Sequence, residues 1–70
     1  MPENTLMEFV RENSGKVDPT VIVDALNYVD EDSYRDEIFT LVYPRINQLP
    51  DPVLAFFFQK VLAYKPALLP

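Results

Sequence analysis

Few residues in this 70-residue chain are equipped for chemistry, and two kinds are missing altogether: there is no histidine and no cysteine. Their absence removes the commonest general base, the commonest metal ligand, thiolate metal sites and disulfides. The hydroxyl nucleophiles other than tyrosine are Thr5, Ser14, Thr20, Ser33 and Thr40, and none has a histidine to activate it. The densest charged run is DEDSYRDE, Asp30 to Glu37. Its alternating carboxylates suggest a calcium loop, but Arg35 stands where such a loop needs glycine, and Leu41 where it needs a bidentate glutamate. Carboxylates at the positive end of a helix dipole account for the run better. Paired carboxylates can act as acid and base. A small helical chain, however, offers little room for the enclosed cleft that would shift their pKa values, and there is no glycine-rich phosphate loop. The chain is expected to be no enzyme and to need no cofactor or metal.

The charge balance points the same way. Eleven acidic residues against six basic ones give a net charge of −5 and a pI near 4.3. Such a charge opposes approach to phosphate backbones and anionic membranes, so direct nucleic-acid or membrane binding is not expected. The start, MPENTLMEFVRENSGK, has no basic segment followed by an apolar one of the secretory type, and no apolar run reaches membrane-spanning length. A cytoplasmic location is expected.

Four helical stretches must carry these residues. The first is expected at 5–14, with Thr5 and Glu8 as a capping box, Leu6, Phe9 and Val10 on one side, and Gly15 closing the last turn in a left-handed conformation. The second, 19–29, opens with Asp18 as N-cap and Pro19 at the first position. Its apolar residues Val21, Ile22, Ala25, Leu26 and Val29 have helical spacing. The third, 31–48, starts in the acidic run, capped by Ser33 with Asp36, or by Asp30 or Asp32 alone, and is expected to kink or break near Pro44. The fourth, 52–64, again begins with Asp-Pro. Leu54, Phe57, Phe58, Val61 and Leu62 form a broad face on it, widened by Phe56. The two Asp-Pro pairs lie 33 residues apart, near the period of helix-turn-helix repeats, but no repeat signature accompanies them.

The fold class is therefore all-α: one domain over residues 1–70, a compact bundle of four short helices arranged as two antiparallel hairpins. Residues 65–70, KPALLP, form a short extended tail that either packs back or offers its leucines to a partner. Burial by area scaling yields on the order of 110 kcal/mol, against roughly 105 kcal/mol of conformational entropy. The near-zero balance favours association, and five phenylalanines and four tyrosines supply surface for it.

Phe9, Tyr34, Phe39 and Phe57 are expected in the core. Phe56 and Phe58 diverge by about 200° around the helix axis, so one helix contact cannot cover both; Phe58 is assigned to the core and Phe56 to an interface. An alternative arrangement makes the fourth helix the centre of the bundle, with all three rings internal. The expected function is that of an acidic helical protein–protein interaction module or regulatory subunit, binding a protein partner or itself as a homodimer or higher oligomer. Tyr28, Tyr43, Phe56 and Tyr64 are the expected anchors. The alternative is an acidic nucleic-acid mimic or inhibitor that fills a basic groove with Asp24, Asp30, Glu31, Asp32, Asp36 and Glu37.

Overall fold

The computed structural model describes residues 2–64; the expected tail at 65–70 lies outside them. Four α-helices follow one another as α1 (Glu3–Asn13), α2 (Pro19–Asp24), α3 (Asp32–Val42) and α4 (Asp51–Tyr64). A 3-10 helix, Ala25–Asn27, extends α2, and another, Tyr43–Gln48, follows α3. No strand occurs among the described residues. The radius of gyration of 11.4 Å matches the roughly 11 Å expected for a compact chain of this length.

The local chemistry explains α2 best. Asp18 has extended backbone and its carboxylate accepts a hydrogen bond from the Thr20 N–H at 2.8 Å, while Pro19 occupies a first-turn position where its missing donor costs nothing. The helix is shorter than expected and tightens into the 3-10 turn at Ala25, which ends when Tyr28 N–H donates to the Ala25 carbonyl at 3.0 Å. At Pro44 the expected break is present. α3 stops at Val42, the chain continues as 3-10 helix, and Arg45 leaves helical geometry at φ −118° and ψ 19°. A proline inside an α-helix removes a donor and clashes with the preceding turn.

Both ends of α1 differ from expectation. The helix starts at Glu3, not Thr5, so no Thr5–Glu8 capping box forms; the Thr5 and Leu6 amides donate to the Pro2 carbonyl at 3.1 and 3.2 Å. Glu3 suits the first turn electrostatically, and its carboxylate also accepts from the Asp30 N–H. At the other end Gly15 is not left-handed. The Lys16 and Val17 amides instead donate to the Asn13 carbonyl at 2.8 and 3.1 Å, closing the turn with right-handed residues. Nor do Ser33, Asp30 or Asp32 cap α3: Glu31 is its N-cap, without a side-chain bond, and its carbonyl takes the Tyr34 and Arg35 amides at 3.1 Å.

The core gathers Met7 and Val10 from α1, Ile22, Val23, Ala25, Leu26 and Val29 from the α2 region, Ile38, Phe39 and Val42 from α3, and Leu49, Phe57 and Val61. The most enclosed stretch is α2 and its extension, which meet α3, α4 and the second 3-10 helix. This overturns the arrangement with α4 at the centre, since only Phe57 and Val61 of α4 are buried. Phe9, expected inside, is 45% exposed. Met7 takes the inward place because residues 3, 6, 7 and 10 form the i, i+3, i+4, i+7 stripe that faces the bundle; Phe9 lies on its flank. Leu62, likewise assigned to the packed face of α4, is 54% exposed, one residue beyond the Phe57–Val61 row.

Candidate functional site

The three consecutive phenylalanines have three different surroundings. Phe57 is wholly buried and meets Phe39 edge-on at 5.8 Å and 83°, a favourable geometry for aromatic quadrupoles. Phe58 is half-buried, with its ring 5.5 Å from that of Phe57. Phe56 is half-buried too, but it faces outward into a groove and carries the Lys60 ammonium over its ring at 5.2 Å. The core and the surface therefore share the triplet.

The groove has an open volume of about 230 Å³ and lies between α2 and the first turns of α4. Thr20, Val23, Asp24 and Asn27 form one wall, and Pro52, Val53 and Phe56 the other. The spacing 20, 23, 24, 27 is one helical face, and 52, 53, 56 is another. Asp24 is exposed, and its carboxylate accepts from the Asn27 amide nitrogen at 3.2 Å. That contact fixes a polar corner of the slot. Asp24 and Phe56 were singled out from sequence; Thr20, Asn27, Pro52 and Val53 were not. Each stripe is legible in its own helix, but nothing in the sequence says that the two stripes face each other.

The other expected anchors are dispersed. Tyr28 follows the first 3-10 turn and is 66% exposed, while Tyr43 opens the second 3-10 helix and is 61% exposed. Tyr64, at the end of α4, stacks under Arg35, whose guanidinium carbon is 3.9 Å from the ring centroid. Of the four aromatic residues, only Phe56 lines the groove.

The acidic set is also divided. Arg35 donates to Asp32 at 2.6 Å and lies 3.8 Å from Asp30. Its own Nε is buried without a hydrogen-bond partner. Arg11 grips Glu37 with two hydrogen bonds, from Nε and, at 2.8 Å, from Nη2. This bond holds the Glu37 carboxyl below the usual carboxylate range, against the opposing effect of burial, and pushes Arg11 up. Asp18 is lowered chiefly by the backbone N–H of Thr20. The Asp36 carbonyl accepts from the Thr40 hydroxyl at 2.9 Å, and Glu31 is exposed at the start of α3. Among the described residues no three acidic side chains gather in a metal-binding arrangement. Instead, Arg35 supplies the positive charge that Asp30 and Asp32 face.

Comparison with protein-family models, curated proteins and solved structures gives no match. No helix among the described residues is long and apolar enough to cross a membrane.

Proposed function

We propose that this chain is a small acidic protein–protein interaction module or regulatory subunit, cytoplasmic and without catalytic activity, which docks through aromatic side chains. The observation that carries this reading is the exposure of Tyr28 and Tyr43 by about two-thirds beside a core filled, among the described residues, by thirteen buried apolar side chains. Neither ring is needed to complete the interior. Exposed aromatic rings contribute much of the energy at protein interfaces, and Phe56 adds a groove-lining ring of the same kind.

The decisive experiment compares the native chain with the double variant Tyr28→Ser/Tyr43→Ser. Light scattering over a hundredfold concentration range reads self-association, and capture from an extract of the source cells reads a different partner. The native chain is expected to associate in one of these ways, and the double variant to lose that association while keeping its helical circular dichroism. A native chain that stays monomeric and retains nothing the variant lacks would overturn the reading. Measuring the retained complex at increasing salt separates aromatic docking, nearly indifferent to salt, from binding through the acidic set, which weakens steeply. The acidic-mimic alternative draws less support from the geometry, because Asp30, Asp32 and Glu37 already face arginines.

A further inference from the structure

The groove between α2 and α4 has a definite chemistry of its own. Its α4 wall is apolar and aromatic, through Pro52, Val53 and Phe56, Val23 lies buried beneath it, and the α2 wall carries Thr20, Asn27 and the Asp24 carboxylate. At about 230 Å³ it is smaller than the clefts of roughly 300–1,000 Å³ that enclose small-molecule ligands, so it suits one or two side chains of a peptide. The Asn27 amide satisfies one lone pair of the Asp24 carboxylate at 3.2 Å. A carboxylate has about four acceptor sites, which leaves capacity for a bidentate donor. The whole chain carries −5, so a basic segment is also drawn in at long range. Lys60 already sits over the Phe56 ring, so it competes with an incoming apolar group for that ring face.

We propose that this groove binds a segment of a partner protein in which an apolar side chain adjoins an arginine, the apolar group resting on Pro52, Val53 and Phe56 and the guanidinium pairing with Asp24. This names the partner chemistry for the interaction module proposed above and rests on that reading.

The probe is a blocked hexapeptide with leucine beside arginine, compared with versions carrying citrulline or glutamate in place of the arginine. Amide chemical shifts of the full chain report where each peptide binds. The arginine peptide is expected to move the signals of Thr20, Asn27, Val53 and Phe56, with tighter binding than citrulline and least response to glutamate. Asp24→Asn should weaken the arginine peptide roughly two- to fivefold, the range of an exposed ion pair, and remove its advantage over citrulline. Lys60→Gln should strengthen binding, the opposite sign. Both changes are at the surface, and unchanged helical circular dichroism verifies the fold. No groove response to the arginine peptide at millimolar concentration, or equal response to arginine and glutamate, would overturn the proposal. The Tyr28/Tyr43 comparison does not depend on this groove, so the module reading can survive that result or fail separately from it.

Discussion

Gly15 is a glycine without a glycine's task. Its φ is not positive, and a Cβ built on it would meet no atom within 4 Å. Replacing such a residue narrows the unfolded ensemble and leaves native contacts intact. Gly15→Ala is expected to stabilise the protein by about 0.4–1 kcal/mol, seen as a Tm higher by a few degrees in thermal melts followed by circular dichroism. A lower Tm would restore the left-handed cap expected from sequence. The same region shows what residue types alone conceal. Thr5 followed by Glu8 has the spacing of a capping box, yet α1 starts two residues earlier, at Glu3, whose carboxylate accepts from the Asp30 amide, 27 residues away. Met7 turns inward with Val10 three residues on, while Phe9 lies about 200° round the helix from Met7 and about 100° from Val10.

Among the elements, α3 and α4 are joined at their far ends by a contact that no spacing rule announces. Arg35, in the first turns of α3, lies against Tyr64, the last residue of α4, while its fork faces Asp32 and Asp30. A planar guanidinium stacks and pairs at once, which an ammonium cannot do. Arg35→Lys is expected to destabilise by about 1 kcal/mol in urea unfolding. Tyr64→Phe, which keeps the ring face, should cost much less than Tyr64→Ser. Equal costs for the two tyrosine variants would mean that the stack contributes nothing. The helices themselves were legible: Asp18-Pro19 starts α2 by direct side-chain capping, and Pro44 ends α3 where its ring forbids continuation. The Arg35–Tyr64 contact and the groove were not legible, because both depend on how helices lie against each other, and periodicity identifies an inner face without naming the face opposite.

Taken whole, the molecule has an unequal distribution of apolar and polar fastening. The α2 region is buried along most of its length, whereas α1 contributes Met7 and Val10 to the interior, with Leu6 packed against it, and is further held by polar links: Glu3 to the Asp30 amide, Arg11 to Glu37, and Arg45 to the Ser14 carbonyl just beyond its end. Glu37 is held below its ordinary value in the folded state, so the unfolded chain binds the proton more readily. Its contribution is complete above the unfolded pKa, near 4.3, and disappears as pH falls through the lower folded value. Asp18 follows the same sign at the start of α2. The urea midpoint is therefore expected to fall between pH 6 and pH 3, and Glu37→Gln to remove part of that fall; an unchanged slope would deny the linkage. In hydrogen-exchange terms, the opening of α1 takes two buried side chains, Met7 and Val10, out of the interior, whereas the α2 region supplies five apolar ones. Acidification through that lowered Glu37 value should release the α1 amides to deuterium ahead of those in α2, so that protonation acts as a latch on one helix while the remaining three still guard the core.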